Sequence, residues 1–317
     1  MTDNNERMKY VVLGAGGTGG CIAAYLAAAG WDTTLIARGA HLAAMREQGF
    51  RVKGTRWGDL CLTCEKLKMM TSEEYLASGE KADALFVCVK GYSIDETAPF
   101  IGEATTKESL IIPILNVVNT GEKLQGLLPE RTVLSGCIYI ASCITAPGEV
   151  SQLTKSMKVV YGSRDGLADR AKMEAVRADM EAARIDTEVA EEIAPAAYEK
   201  FIFLSPYAAA GAYLDVVSAE FQKEGPAKYF IVELLKEVVA VAAAQGFTYP
   251  GRDMVQEKTD HLRVLNPTST ASMVKDVKKG GKSEIDGLVF EVVRLGHKYG
   301  VPVPYYEKVS RHFGYTW

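Results

Sequence analysis

The stretch YVVLGAGGTGG, residues 10–20, decides the fold of this chain. Its apolar beginning predicts a strand, and the glycines that follow form a G-x-G-x-x-G turn. A helix of small residues is predicted from Cys21 to Ala29, and a second strand from Thr33 to Ala37. A glycine pattern in this strand–turn–helix–strand context is the fingerprint of a dinucleotide-binding domain.

Each glycine of the fingerprint has a predicted role. Gly14 allows a tight turn, Gly16 lets the backbone approach a pyrophosphate, and Gly19 lets helix and strand pack closely. The helix N-terminus offers free N–H groups and a partial positive charge to the phosphates. The predicted cofactor-binding residues of this loop are Gly14, Ala15, Gly16, Gly17, Thr18 and Gly19. The alternative is a glycine turn in another kind of α/β protein.

The residue after the second strand indicates which dinucleotide binds. An acidic residue there would hold the ribose 2′-hydroxyl of NAD, but this chain has Arg38, nineteen residues past Gly19. A guanidinium can bind a 2′-phosphate through two hydrogen bonds. We therefore predict NADP(H) as the cofactor; on the alternative interpretation, Arg38 is merely an exposed side chain.

Composition narrows the class of protein. A chain of 317 residues, 48% hydrophobic, is expected to form two globular domains. The net charge of −4 and the lack of a basic run argue against a nucleic-acid partner. Residues 1–9 are polar, unlike a signal peptide, and the longest uncharged apolar stretch, residues 201–214, is too short to span a membrane. These features predict a soluble, cytoplasmic protein.

The six cysteines predict neither a disulfide framework nor a metal site. Several lie in apolar patterns, which is typical of reduced thiols in a core. Cys61 and Cys64 form a CxxC, but there is no second CxxC and no spaced histidine pair. Alternation through Leu60, Leu62 and Cys64 favours a short strand there. A metal or redox role for this pair is the alternative.

The order of predicted elements indicates two domains. The first half alternates strands and helices, as in a parallel sheet. Strands are predicted at residues 84–89, 110–115 and 133–140, antiparallel additions at 149–153 and 158–161, a strand pair at 50–52 and 59–63, and helices at 41–48 and 167–184. Pro113 predicts an edge strand or a strand end. From about residue 191 only helices are predicted, at residues 196–213, 228–245, 254–265, 272–278 and 285–299. The fold class is therefore α/β: a Rossmann domain of residues 1–190, then an all-α domain of residues 191–317.

Several polar residues are placed where a nicotinamide-dependent reductase needs them. Lys90 and Asn116 each follow an apolar strand at its carboxyl end, where ligands bind to parallel sheets. Lys200 precedes the uncharged stretch and is a candidate general acid. Glu284 opens the last predicted helix, where Ser283 and Asp286 resemble a capping arrangement. The alternatives are lysines that are only exposed and a glutamate that only favours a helix dipole.

The chain resembles the ketopantoate reductase (2-dehydropantoate 2-reductase) family from about Lys9 to about Pro304. The segments that carry the resemblance are Gly14–Gly19 with Thr34–Arg38, Val89–Tyr92, Glu199–Phe201, and Ser272-Met273-x-x-Asp276 with Ser283–Gly287. The resemblance implies a Rossmann domain followed by a helical domain, with NADPH bound in the cleft. It also implies the reduction of a 2-oxo acid to a 2-hydroxy acid, as in pantothenate synthesis.

The resemblance also implies roles for individual residues. Lys200 would be the general acid, and Glu284 would bind and orient the substrate hydroxyl. Lys90 and Asn116 would line the nicotinamide, the substrate and the lysine. Ser272 would hold the carboxylate side of the substrate, and Arg38 the 2′-phosphate of the cofactor.

The chain departs from the family at positions near the substrate. The family commonly shows Asn-Gly-x-Gly where this chain has Asn116-Val117-Val118-Asn119. Branched Val117 should reshape that loop. The family's asparagines four and eight residues after the lysine are Leu204 and Ala208 here, and Ser269 replaces a frequent asparagine before the Ser-Met pair. With Tyr207, these residues would make a more apolar pocket.

Three interpretations of the function follow. The first is a reductase of ketopantoate itself. The second is a reductase of a bulkier or less polar 2-oxo acid, in the manner of the D-2-hydroxyacid dehydrogenases of the family. The third is a regulatory protein that binds NADP without turnover. The alanine-rich helices of the second domain can bury a homodimer interface or simply form its core, and the sequence leaves these alternatives open.

Overall fold

The structure, a computed structural model, describes residues 7–317, which form two compact units. The first unit runs to Leu115 and resumes at Asn119–Ile193, and the second contains Asn116–Val118 and Ala194–Trp317. The segment Asn116–Val118 thus belongs to the second unit, although the residues on both sides of it belong to the first. Most of the polar segment of residues 1–9 lies outside the described residues.

The first unit is built from strands and helices in alternation. Its strands are β1 (Lys9–Leu13), β2 (Asp32–Ile36), β3 (Phe50–Thr55), β4 (Gly58–Leu62), β5 (Lys68–Met70), β6 (Ala82–Val87), β7 (Thr105–Pro113), β8 (Thr132–Val133), β9 (Ser135–Tyr139), β10 (Ser142–Ala146), β11 (Glu149–Gln152), β12 (Lys158–Gly162) and β13 (Asp186–Val189). Its helices are α1 (Gly17–Ala28), α2 (Gly39–Gln48), α3 (Ser72–Ser78), α4 (Ile94–Ala104), α5 (Thr120–Leu127) and α6 (Arg170–Ala182).

The main sheet has six parallel strands in the order β5-β2-β1-β6-β7-β8. Strand β1 lies at its centre and is buried from Tyr10 to Leu13, so its sequence is a continuous apolar run. In the register, Leu13 lies opposite Val87, and Val87 opposite Pro113. Pro113 is the last residue of β7, as the strand-end alternative predicted; β7 itself is an internal strand.

Two smaller sheets complete the unit, in the orders β10-β11-β3-β4 and β13-β12-β9. The single strand predicted at residues 133–140 is wrong: β8 belongs to the main sheet, and β9 pairs antiparallel with β12. Strand β11 is antiparallel to β10 but parallel to β3, and β12 is parallel to β13. Three short strands, β5, β10 and β13, were not predicted. β5 and β13 pair with earlier strands from which other elements separate them, whereas β10 pairs antiparallel with β11, which directly follows it.

The second unit is helical throughout the part that the structure describes, which confirms the predicted fold class. Its helices are α7 (Ile193–Leu214), α8 (Ser218–Gln222), α9 (Pro226–Ala244), α10 (Met254–Arg263), α11 (Ser272–Lys278), α12 (Glu291–Tyr299) and α13 (Pro304–His312). The predicted helix of residues 285–299 is not uniform, because a π-helical turn, Asp286–Phe290, precedes α12.

The long helix α7 supplies much of the core of this unit. Ala208, Ala209 and Ala210 are completely buried there, so these alanines serve the core of the monomer. Pro206 lies inside the helix. Within residues 7–317 no helix is long and apolar enough to cross a membrane.

A buried carboxyl group makes the stability of this unit depend on pH. Glu237 of α9 accepts hydrogen bonds from the backbone N–H groups of Tyr305 (2.8 Å) and Tyr306 (2.9 Å) in the first turn of α13. Burial raises the pKa of Glu237 from 4.5 to about 7, although the two hydrogen bonds oppose the shift. The folded chain therefore binds this proton more tightly than the unfolded chain.

We expect the free energy of unfolding to fall as pH rises from about 4.5 to about 7, and this contribution to be constant above that window. Its size is on the order of 3 kcal/mol. Thermal unfolding of the native chain and of Glu237→Gln between pH 4.5 and pH 8 measures it. The variant should lose this part of the pH dependence, and identical pH profiles for the two proteins would contradict the assignment.

Candidate functional site

The fingerprint loop between β1 and α1 requires glycine at two positions. Gly14 has φ +108°, and a Cβ atom there would lie 2.9 Å from the carbonyl oxygen of Cys88. A Cβ atom on Gly19 would lie 2.0 Å from the carbonyl oxygen of Gly14. Any side chain at Gly19 would therefore push α1 away from the loop, which is the packing role that the pattern predicts.

The loop is open where a pyrophosphate would approach. A Cβ atom on Gly16 would meet no atom within 4 Å, and Gly16 is the N-cap of α1. No acidic residue lies in the first turn of α1, so nothing there opposes an anion at the helix N-terminus. Ala15 is buried and Thr18 half-buried beside it, while Gly17 packs against the backbone of Ser142. These features fit a bound dinucleotide.

Arg38 lies just beyond β2, as the N-cap of α2, in an extended conformation. Its side chain is 88% exposed, with Nη1 3.9 Å from Oε1 of Glu96, which is itself exposed. An exposed pair of this kind is weak. The guanidinium can therefore turn to an incoming phosphate at little cost.

Lys90 lies farther from its strand than the sequence predicted. Strand β6 ends at Val87 rather than Val89, so Lys90 is the N-cap of a short 3₁₀ turn, Gly91–Ser93. Its side chain is half-buried and makes contacts in the structure. Strands β6 and β1 are parallel neighbours, so their carboxyl ends lie at the same edge of the sheet. Lys90 follows the end of β6, and the fingerprint loop follows the end of β1, so both lie at the edge where ligands bind.

Lys200 and Asn116 meet within the second unit. Lys200 Nζ donates a 2.8 Å hydrogen bond to Oδ1 of Asn116. The segment Asn116–Val118 also packs on the π-helical turn, since a Cβ atom on Gly287 would lie 2.4 Å from Cγ1 of Val117. The resemblance to the family implied that Asn116 lines the lysine, and the structure shows a direct hydrogen bond between the two side chains.

The helix turn that carries Lys200 is anchored by ion pairs that sequence analysis missed. Glu199 accepts two hydrogen bonds from Arg252, at 2.7 and 2.9 Å, and a third from Lys258 at 2.8 Å. The Arg252 guanidinium, followed by Lys258, lowers the pKa of Glu199 to about 2. The only signal in the sequence was the Glu-Lys pair itself, since Arg252 lies more than fifty residues away.

Glu284 is buried, with 4% of its surface exposed, and contacts other groups. Its backbone carbonyl accepts a hydrogen bond from the N–H of Leu288 at 2.9 Å. The predicted capping by Ser283 and Asp286 is wrong, because the Asp286 carboxylate instead binds Arg294 at 2.9 and 3.0 Å. The reason is that the π-helical turn begins at Asp286 itself and carries that side chain to α12.

The positions that depart from the family pattern are largely apolar. Leu204 is half-buried, and Ala208 has no exposed surface. Ala208 can therefore affect the shape of a pocket only through its packing against the residues that line the pocket. The hydroxyl of Tyr207 lies 2.6 Å from Ser218 Oγ and 3.2 Å from Ser269 Oγ. It is therefore already hydrogen-bonded within the protein. Ser272 is exposed and begins α11.

The described residues contain no cluster of three or more histidine, cysteine or acidic side chains that could hold a metal ion. All six cysteines are free thiols, and Cys61 and Cys64 are exposed. Leu62 between them is buried at the end of β4, which is the short strand that the alternation predicted.

A Rossmann-type unit with an open fingerprint loop, followed by a helical unit, defines a dinucleotide-binding oxidoreductase. Protein-family models agree: the model "Ketopantoate reductase PanE/ApbA" matches residues 10–166, and its C-terminal model matches residues 192–314. The chain belongs to the ketopantoate reductase family. Members of this family use nicotinamide cofactors. Membership makes the chain a reductase of the 2-oxo acid type, which belongs to the oxidoreductases that act on CH–OH groups.

Three known proteins illustrate the similarity. A 2-dehydropantoate 2-reductase of Pyrococcus horikoshii is 26% identical, over 91% of each chain. The crystal structure of a PanE/ApbA family ketopantoate reductase from Ralstonia eutropha is 26% identical and covers 96% of this chain and 97% of its own, with a TM-score of 0.85. D-mandelate dehydrogenase with NADH and anilino(oxo)acetate, 20% identical over 96% of each chain, shares the fold with a TM-score of 0.83.

Proposed function

We propose that this chain reduces ketopantoate to pantoate with NADPH, and that Lys200 is the general acid. The observation that carries the proposal is the 2.8 Å hydrogen bond between Lys200 Nζ and Asn116 Oδ1. The amide oxygen of Asn116 accepts the hydrogen bond that the ammonium group donates, so it fixes the direction of the lysine side chain. A general acid needs that defined direction and a proton to give.

Each residue of the proposed site has a separate role in the reaction. A bound NADPH would supply the hydride. Lys200 would donate its proton to the substrate carbonyl oxygen, which becomes the hydroxyl of the product. Glu284 would accept a hydrogen bond from that hydroxyl and hold its orientation. Lys90 and Asn116 would line the reacting groups, and Ser272 would bind the carboxylate side.

The preference for NADPH is proposed from Arg38. Its position after β2 is the one where an acidic residue selects NAD, and a guanidinium there favours a 2′-phosphate. Gly14 to Gly19 would hold the pyrophosphate, supported by the open space over Gly16. We also propose a cytoplasmic location, since six free thiols suit a reducing compartment.

A second candidate substrate is a less polar 2-oxo acid. Leu204 and Ala208 offer no hydrogen bonds, and the Tyr207 hydroxyl is already bonded to Ser218. A site that lacks polar partners discriminates weakly for polar groups. The fold neighbour D-mandelate dehydrogenase, solved with NADH and anilino(oxo)acetate, supports this candidate.

Initial rates of NADPH oxidation with ketopantoate, 2-oxoisovalerate and phenylglyoxylate distinguish the two candidates. The first candidate predicts the highest kcat/KM for ketopantoate. The second predicts a higher kcat/KM for an apolar or aromatic acid, and turnover of ketopantoate well above the others would exclude it.

Leu204→Asn tests the same point from the protein side. An asparagine one helical turn after Lys200 supplies an amide that can bond the substrate hydroxyl, so we expect kcat/KM for ketopantoate to rise about tenfold relative to apolar acids. Leu204→Met, which preserves volume without an amide, is the matched control. If both variants change the ratio equally, the effect is one of packing and residue 204 does not select the substrate.

A further inference from the structure

Two helical segments of the second unit are irregular shortly after a residue assigned to the proposed reaction. In α7, Pro206 lies six residues after Lys200 and cannot donate a backbone hydrogen bond to the preceding turn. The π-helical turn Asp286–Phe290 begins two residues after Glu284. π-Helical turns are rare and frequent at functional sites. Proline residues and π-helical turns are among the usual causes of bends in helices.

A chain of hydroxyl groups joins these two irregular turns. Ser205 Oγ donates a 2.6 Å hydrogen bond to the carbonyl oxygen of Leu288 and lies 2.6 Å from the hydroxyl oxygen of Tyr306. Because the single hydroxyl proton of Ser205 goes to Leu288, Tyr306 must donate to Ser205. The chain therefore has one direction, from the phenol through the serine to the carbonyl.

The surroundings make this chain strong. Ser205 and Tyr306 have no exposed surface, and Leu288 is 1% exposed, so water cannot replace either bond. Consecutive hydrogen bonds in a buried site reinforce one another, and an unmatched buried carbonyl is costly. On its other side the turn is confined by Val117, which leaves no room for a Cβ atom on Gly287.

We propose that Ser205 and Tyr306 are positioning residues for the proposed reaction. Their hydroxyl groups fix α7 against the π-helical turn, and so hold the segments that carry Lys200 and Glu284 in one relative arrangement. Neither hydroxyl touches the substrate or the cofactor in this account. The inference rests on the proposed roles of Lys200 and Glu284.

Steady-state kinetics of Ser205→Ala, Tyr306→Phe and the double variant test the proposal. We expect Ser205→Ala to lower kcat about 10- to 100-fold, with KM for NADPH within about threefold of native, because small displacements of reacting groups are costly. Tyr306→Phe should act in the same direction but less. Its effect should disappear in the Ser205→Ala background, since both hydroxyls act through one chain.

The matched control is Ser310→Ala, which removes a fully buried hydroxyl of α13 that lacks a hydrogen-bond partner. This variant should keep native kcat. All variants are assayed below their measured unfolding temperatures. A loss of NADPH affinity that parallels the loss of kcat, or additive effects in the double variant, would overturn the proposal.

A second readout does not depend on turnover. Competitive acetylation of lysines, followed by peptide mass spectrometry, reports the accessibility and basicity of Lys200. We expect Ser205→Ala to change the labelling rate of Lys200 at least threefold while exposed Lys236 stays constant. An unchanged Lys200 rate would overturn the positioning role. If the native enzyme reduces no 2-oxo acid, the proposed function fails, and this labelling still decides the connection between Ser205 and Lys200.

Discussion

Replacing Lys200 with alanine is expected to lower kcat by about 10²- to 10⁴-fold while NADPH affinity stays near native. The lysine is the proposed proton donor to the forming alkoxide, and its Nζ is held by Asn116 at 2.8 Å. Without it, the proposed proton donor to that oxygen is lost. Because Arg38 and the fingerprint loop belong to the other unit, cofactor binding should be retained. Steady-state kinetics and NADPH fluorescence titration measure the two quantities separately.

Lys236→Ala is the control for this experiment, since Lys236 is an exposed lysine of the same unit that pairs only with Glu233 among the contacts described. It should retain native kcat. If Lys200→Ala keeps activity within a few-fold of native, Lys200 is not the general acid. A loss of NADPH affinity as large as the loss of kcat would point to a binding role instead.

Replacing Arg38 with aspartate is expected to reverse the choice of cofactor. The change would remove the proposed charge-assisted bidentate contact, worth about 1.5–3 kcal/mol, and would place a carboxylate where the 2′-phosphate would lie. We expect NADPH affinity to fall at least tenfold and the ratio of kcat/KM for NADPH over NADH to fall about 100-fold or more. The aspartate can also accept a hydrogen bond from the 2′-hydroxyl of NADH.

Glu96→Gln is the matched control, because Oε1 of Glu96 lies 3.9 Å from the Arg38 guanidinium. Removing this exposed charge should leave NADPH affinity equal to native or a few-fold higher. An unchanged cofactor ratio in Arg38→Asp would mean that another group holds the phosphate. A fall in NADPH affinity in Glu96→Gln would mean that the acidic side chain, rather than the arginine, organises this end of the site.

Local patterns predicted the elements whose signal lies within one stretch of sequence. Strand β1, helix α1 and strand β2 follow directly from the apolar runs and the glycine spacing, and α11 was predicted at its exact bounds. The division of residues 132–139 into β8 and β9 was not predictable in this way, because each half pairs with a different distant strand. Propensity alone does not contain that information.

The candidate site shows the same limit. Asn116 and Arg38 could be selected from sequence because each follows an apolar strand, and Lys200 because it precedes the long uncharged stretch. The direct bond between Lys200 and Asn116 depends on the passage of Asn116–Val118 into the second unit, which no local pattern indicates. The π-helical turn after Glu284 likewise contacts Val117 and Ser205, which come from other parts of the chain.

The decisive experiment is NADPH oxidation by the purified native chain with a panel of 2-oxo acids, together with identification of the 2-hydroxy acid formed. We expect at least one acid, ketopantoate first, to be reduced with one product molecule per NADPH and a kcat/KM in the ordinary enzymatic range of about 10⁴–10⁸ M⁻¹ s⁻¹. Binding of NADPH without oxidation by any acid in the panel would contradict this expectation and leave a nucleotide-binding regulatory protein.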